Sequence, residues 1–162
     1  MVEQAKYEVV QKLGNSVEIR KYPSQIVAKT PMAGMNGSFG AIAGYIFGGN
    51  ARGKEIAMTA PVVTDTREMY FFMPQEYSLK SLPKPKGNDV EISKLPARMV
   101  AALRFSGFWT EGAIKRNESK LLAELGKNDY SAIGEPFLMR YDPPWQLPFL
   151  RRNELAVLAR KK

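Results

Sequence analysis

Any enzyme chemistry done by this 162-residue chain would need carboxylates, tyrosines or lysines, because it has neither cysteine nor histidine. Thiolate nucleophiles, disulfides and Ser-His-Asp or Cys-His sites are excluded, and zinc would find only carboxylates, a poor donor set for that ion. Glu68, Glu91, Tyr70 and Tyr141 fall on or near extended segments. An enzyme built from such groups would need them brought together, and nothing in the spacing pairs these four. A groove-lining Glu with a raised pKa is what such an enzyme would need.

Two segments have the composition of a binding surface instead. Phe39-Gly40-Ala41-Ile42-Ala43-Gly44-Tyr45-Ile46-Phe47 contains no charge and two interior glycines. An interior Gly costs a helix about 0.5–1 kcal/mol relative to Ala, so a compensating reason is needed, such as the close approach of another surface. Phe39, Ala43 and Phe47, spaced four apart, would form a flat apolar shelf with room for a planar ligand. A fully buried core helix explains the same apolarity.

The second segment is Pro143-Pro144-Trp145-Gln146-Leu147-Pro148-Phe149-Leu150-Arg151-Arg152. Bulky apolar groups in a loop form an exposed patch unless they cover something. Trp145, Leu147 and Phe149 therefore read either as a lid on a ligand or as a plug for one end of the fold. Arg151 and Arg152 at the base of the loop suit charge-assisted bonds to ligand carboxylates. The run Arg151-Arg152-Asn153-Glu154 also reads as a buried ion-pair network anchoring the last strand, with Glu154 structural.

The elements that must position these residues follow from an internal repeat. Val17-Glu18-Ile19-Arg20-Lys21-Tyr22-Pro23-Ser24-Gln25-Ile26-Val27-Ala28 returns 73 residues later as Val90-Glu91-Ile92-Ser93-Lys94-Leu95-Pro96-Ala97-Arg98-Met99-Val100-Ala101, with seven of twelve positions identical. A duplicated ββαββ unit over about 7–74 and 90–160, joined by a Pro/Lys-rich connector at 81–89, is the simplest account. Strands are expected at 7–12, 17–22, 25–30, 60–64, 68–73, 91–95, 99–105, 137–142 and 154–160, with 17–22 and 25–30, and likewise 91–95 and 99–105, forming hairpins.

A first helix is expected over 39–47, capped from Asn36-Gly37-Ser38 and stopped by Gly48-Gly49. A second is expected from Thr110 to about Leu125, with Gly126 as its stop and Ile114, Leu121, Leu122 and Leu125 as its apolar stripe. The whole reads as one α+β domain over 1–162, a curved antiparallel sheet or distorted barrel with one helix per repeat.

The formal charge of +8 favours anionic partners. Its basic residues are scattered, densest at 80–86 and 160–162, and lack the aromatic and basic signature of an RNA-binding sheet, so no specific nucleic acid is expected. Weak contact with acidic membrane is compatible with the basic connector and tail. Residues 1–6 lack the apolar run of a signal peptide and no window approaches a bilayer span, so the expected setting is cytoplasmic and the expected state a monomer.

Tyr45-Ile46-Phe47-Gly48-Gly49-Asn50, Ile56-Ala57-Met58-Thr59-Ala60-Pro61-Val62, Phe72-Met73-Pro74, Leu82-Pro83-Lys84-Pro85, Tyr141-Asp142-Pro143-Pro144 and Arg151-Arg152-Asn153-Glu154 together resemble the SOUL/heme-binding family over about residues 6–160. The resemblance implies a pseudo-twofold, distorted antiparallel β-barrel flanked by two helices, similar to gyrase-inhibitor-like effector-binding domains. It implies non-enzymatic binding of heme or a related anionic tetrapyrrole in a shallow apolar groove, for transport, buffering or sensing. A hydrolase or small-molecule effector-binding domain using the same groove is the alternative. The ligand-contacting set is then Phe39, Ile42, Ala43, Ile46, Phe47, Trp145, Leu147 and Phe149, with Arg52, Lys54, Arg151 and Arg152 as partners for the propionates. Some family members use a histidine as axial ligand; this chain has none, and no protein axial ligand is expected. Met58 and Thr59 are read as packing residues.

Overall fold

The computed structural model describes residues 2–143 and 145–162. In chain order its elements are β1 (Glu3–Gln4), β2 (Glu8–Leu13), β3 (Val17–Tyr22), β4 (Gln25–Pro31), α1 (Met35–Ile46), β5 (Thr59–Ala60), β6 (Val62–Thr64), β7 (Glu68–Phe72), β8 (Glu91–Leu95), β9 (Arg98–Phe105), α2 (Glu111–Lys127), β10 (Tyr130–Arg140) and β11 (Asn153–Lys161), with a 3-10 turn at Pro148–Leu150. They form two compact units. The first is Ser24–Pro96 with the N-terminal residues before Lys6; the second is Lys6–Pro23 with Ala97–Lys162.

In the second unit the antiparallel order is β2-β3-β9-β11-β10. Alternation along these strands separates two faces. Val17 and Ile19 of β3, Ala101 and Leu103 of β9, and Leu155 and Val157 of β11 form a core with Leu121 and Leu125 of α2. The other face receives Glu18, Arg20 and Tyr22 from β3 and Glu154 from β11. Thr110 caps α2 as its spacing predicts, its side chain accepting from the Ala113 N–H at 3.1 Å. The helix runs through Gly126 and ends at Asn128, with Asp129 in the left-handed region at φ 67°. Leu122 is exposed, because it lies about 100° round the helix from the Leu121 and Leu125 row.

In the first unit the order is β6-β7-β4-β8, with β1 and β5 forming a short parallel pair. Here α1 buries Ile42, Tyr45 and Ile46 against Ala28, Met69, Phe71 and Leu82. This helix begins four residues earlier than expected. Asn36, Gly37 and Ser38 lie inside it; Gly34 is the N-cap at φ 84°, and the Ser38 hydroxyl instead accepts from the Ala33 N–H and donates to the Pro31 carbonyl.

Neither expected hairpin forms. β3 pairs with β2 and β9, whereas β4 pairs with β7 and β8. A two-residue hairpin loop needs φ > 0 at its first residue, which the Pro23 ring forbids, so Pro23-Ser24 does not fold β4 back on β3 and the chain passes from one unit to the other. The two ladders that join the repeats share one register. Arg20 faces Val100 in the first, and their equivalents 73 positions away, Ser93 and Val27, face each other in the second. The equivalence follows the 73-residue offset of the sequence repeat.

A closed barrel is not what the strands form. Among the described residues β2 pairs only with β3, and β8 only with β4. Glu8 and Lys12 on β2, and Glu91 and Lys94 on β8, carry charges along these edges, which oppose further strand addition.

The α1 exit explains one of the sequence motifs. Asn50 is fully buried, donating to the carbonyls of Tyr45 at 3.0 Å and Lys54 at 2.7 Å while accepting from the N–H groups of Arg52 and Lys54. The Gly49 N–H donates to the Gly44 carbonyl at 2.8 Å, and a Cβ on Gly49 would lie 2.5 Å from that oxygen. Gly49→Ala is therefore expected to cost about 1–3 kcal/mol, the usual range for forced overpacking. A lowered urea midpoint at unchanged slope would register it.

Candidate functional site

In the first unit the candidate surface is the outer side of α1. The 3.6-residue period sends Ile42 and Ile46, each at most 1% exposed, into the core, so these two are not at the surface where a ligand would meet them. Phe39, on the flank of that buried row, stays 41% exposed and Phe47, the C-cap, 63%, with Ala43 nearly covered between them and Met35 one turn before Phe39. The Phe39 ring is tilted on Phe71 at 5.3 Å between centroids, which fixes its plane. Gly40 and Gly44 are exposed alongside, and a Cβ built on either would meet no described atom within 4 Å. The glycines are thus not explained by close packing within the chain. They leave a bare strip beside two phenylalanines on a helix with no acidic or basic residue in its terminal turns.

Cations follow the helix in the same unit. Lys54 Nζ lies 4.9 Å from the centroid of the Tyr77 ring. Arg52 is exposed, its Nη1 donating to the Ser81 carbonyl at a long 3.4 Å. Thr59 donates to the Phe72 carbonyl at 2.5 Å from a buried position, and Met58 packs on the core, so both of these motif residues serve packing here.

The second unit holds a buried polar cluster that the sequence hinted at only in part. Glu154, wholly inaccessible, accepts two bonds from Arg20, from Nη1 at 2.7 Å and Nη2 at 2.6 Å, and a third from Arg152 Nη2 at 3.2 Å. Arg20 also donates from Nε to Glu18 and from Nη1 to the Tyr22 hydroxyl, and its guanidinium lies 4.1 Å from the centroid of the Tyr7 ring. Arg152 donates to the Tyr7 hydroxyl at 3.0 Å and stacks 3.9 Å from the Tyr141 ring centroid. The charge-assisted, bidentate geometry belongs to the strong class of hydrogen bond.

Burial alone would raise the Glu154 carboxyl and lower both guanidiniums. The hydrogen bonds and charges of Arg20 and Arg152 prevail, so Glu154 is held below the usual carboxylate range while Arg20 and Arg152 are raised. Burial, with the nearby Glu154 charge adding to it, pushes the Tyr141 phenol up; its hydroxyl meets no partner at full hydrogen-bond geometry. Glu154 is the only buried carboxylate among the described residues. It is locked ionised and saturated with donors, the reverse of a carboxyl poised to exchange protons.

Arg151 and Arg152 are occupied within this unit. Arg152 is committed to Glu154 and Tyr7, and Arg151 donates from Nε to the Gln146 carbonyl at 2.9 Å with its guanidinium 5.1 Å from the Trp109 ring centroid. The Trp109 indole N–H donates to Asn153, whose amide donates to the Gly107 carbonyl, while the Gly107 N–H donates to the Pro148 carbonyl. Arg140 lies 4.2 Å from the Trp109 ring centroid, and burial pushes its guanidinium down to about 10. Trp145, Leu147, Phe149, Leu150 and the neighbouring Phe108 all remain between 54% and 85% exposed. Residue 144 lies outside the described residues.

Arg20 has no assigned role in the sequence beyond its place in the repeat. Its signal was available in the alternation of Glu18, Arg20 and Tyr22 down one side of a strand whose other side is Val17 and Ile19. A polar face of that kind reads as solvated by default, which is why the ion pair could be expected at Arg152 and Glu154 without its principal partner.

Among described residues no cluster of acidic side chains could hold a metal ion. Solved structures sharing the fold include the C-terminal domain of EcmrR, with a TM-score of 0.63 at 12% identity over 96% of this chain and 99% of that one. EcmrR in its DNA complex gives 0.66 at 12% identity, covering 90% of this chain and 57% of that one. A protein described as a hydrolase from Listeria innocua gives 0.61 at 7% identity over 90% and 92%. At such identities the likeness speaks for the fold alone. No curated protein matches the chain. A family model described as SOUL heme-binding protein matches residues 2–158, and by that match, spanning nearly the whole chain, the protein belongs to the SOUL heme-binding family.

Proposed function

We infer that the protein binds a flat, anionic tetrapyrrole, heme or a porphyrin, on the outer side of α1 and performs no chemistry on it. The observation that carries this reading is the strip formed by Phe39, Gly40, Ala43, Gly44 and Phe47, where two glycines face open space beside two exposed rings. An aromatic macrocycle laid there would cover apolar surface worth about 25 cal/mol for each Å² removed from water. Arg52 and Lys54, beyond the end of the helix, supply charge for the propionates. Membership of a heme-binding family supports the ligand class.

The donor chemistry fits a macrocycle gripped through its faces. No histidine or cysteine exists in the chain, and the Tyr45 hydroxyl is turned inward to the Pro83 carbonyl at 2.6 Å. Met35 is the single side chain on this face of α1 with a soft donor atom, and a thioether alone is a weak anchor for ferric iron. Iron is therefore dispensable for binding in this reading.

Titrating the protein with hemin and with metal-free protoporphyrin, followed by the Soret band, is the test. Dissociation constants within about threefold of each other, a difference below 1 kcal/mol, are expected. No saturable binding of either compound would overturn the proposal. Tight binding of hemin alone would overturn its unligated form.

A further inference from the structure

The charge of the protein is unequally divided. The second unit carries 16 Lys and Arg against 9 Asp and Glu, and the first 8 against 7, so almost all of the net +8 resides in the second unit. The same unit displays its most exposed large apolar side chains together. Trp145, Leu147, Phe149 and Leu150 occupy one short loop, and Phe108 is brought beside it by the bond from the Gly107 N–H to the Pro148 carbonyl at 2.8 Å. No acidic residue occurs between Asp142 and Glu154. An apolar patch of this kind on a soluble surface marks an interaction site.

The loop is built to hold that display. The 3-10 turn at Pro148–Leu150 closes through the Leu150 N–H to the Leu147 carbonyl at 2.9 Å, and the Arg151 Nε pins the Gln146 carbonyl. Arg151 is held 5.8 Å from the Phe108 ring centroid, so a cation sits at the base of the apolar tip. We propose that this tip, residues 145–150 with Phe108, is a docking surface for the acidic face of a phospholipid bilayer. Its Trp, Phe and Leu side chains enter the headgroup boundary while the basic unit behind it is drawn to the negative surface.

The composition selects this occupant over others. Tryptophan and phenylalanine favour the boundary between water and lipid, where an amphipathic or apolar ring gains contact without full immersion. A positively charged body selects acidic over neutral lipid and makes attachment sensitive to salt. A second copy of this chain is disfavoured, because each copy brings +8 to the contact. No described helix is long and apolar enough to cross a membrane; the attachment proposed is peripheral.

The inference is independent of tetrapyrrole binding, and its test is run on the full chain without pigment. The protein is mixed with vesicles of neutral phosphatidylcholine or with vesicles containing about one-third phosphatidylserine, then sedimented while tryptophan emission is followed. Binding to the acidic vesicles, a blue shift of the emission and release by added salt are expected. The pair Phe108→Ser and Leu150→Ser lies outside the residues assigned to the pigment. It should weaken vesicle binding about tenfold or more and leave the hemin titration unchanged. The pair Trp145→Ser and Phe149→Ser should weaken vesicle binding as much and remove the blue shift. Equal binding to neutral vesicles, no binding to acidic ones, or binding insensitive to both pairs would overturn the proposal. So would a concentration-dependent dimer that either pair abolishes.

Discussion

Replacing Glu154 with alanine is expected to lower the unfolding free energy by about 3–5 kcal/mol, because it removes the carboxylate shared by a buried guanidinium, Arg20, and a half-buried one, Arg152. Arg20 is 3% exposed and Glu154 wholly covered, so the loss leaves Arg20 with Glu18 and the Tyr22 hydroxyl as its remaining hydrogen-bond partners. Arg152 retains Tyr7 and the Tyr141 ring and is the less affected partner. Glu154→Gln should cost less, since one amide oxygen still accepts from Arg20.

The pH dependence has a definite sign. The folded carboxyl titrates below its unfolded value, so its contribution is fully present above the unfolded pKa of about 4.3 and is lost as pH falls through the folded one. Urea unfolding of wild type and Glu154→Gln, compared at pH 7 and at successively lower pH, should show the difference between them shrinking in acid. A constant difference across that range would mean that Glu154 contributes by shape and not by charge.

A second expected result separates stability from binding. Gly40 and Gly44 are helical, exposed and free of any described neighbour within 4 Å of an added Cβ. Substituting alanine at either should stabilise the protein by about 0.5–1 kcal/mol, because the unfolded chain loses freedom and the helix gains propensity. Substituting leucine at both keeps most of that propensity gain but raises two branched side chains over the strip between Phe39 and Phe47. Affinity for protoporphyrin should then fall by a factor of ten or more, at least 1.4 kcal/mol, while the thermal midpoint does not fall. Unchanged affinity in the double leucine variant would remove α1 from the proposed binding surface. A fall in both quantities together would trace the loss to folding and return the glycines to a structural role.

Element identity was legible where short-range physics decides it. The alternation of Val17, Ile19 and their polar neighbours placed β3 to the residue, and the Thr110 cap placed the start of α2. What sequence could not deliver was partnership. Pro23-Ser24 and Pro96-Ala97 have the composition of hairpin turns, yet both are crossings between units, since a local turn signal says nothing of which distant edge is open to pairing. The same limit applied to Arg20, whose partner lies 134 residues away. On α1 the apolar run was visible, but Phe39 lies beside the Ile42 and Ile46 row and its exposure is decided by what packs on the helix and not by its period; the capping pattern also misplaced the helix start by four residues. The motif residues Asn50 and Thr59 stood out in sequence; only their hydrogen bonds reveal them as internal fasteners.

The shared register of the β3 with β9 and β4 with β8 ladders has a bearing on how this chain can be divided. Each ladder takes one strand from either side of the 81–89 connector, so cutting there yields no self-sufficient half. Both fragments would carry an unmated edge, and each holds the strand that the other lacks. A half made by itself would thus lack the mate of one strand in each ladder, and the two halves made together could each supply what the other is missing.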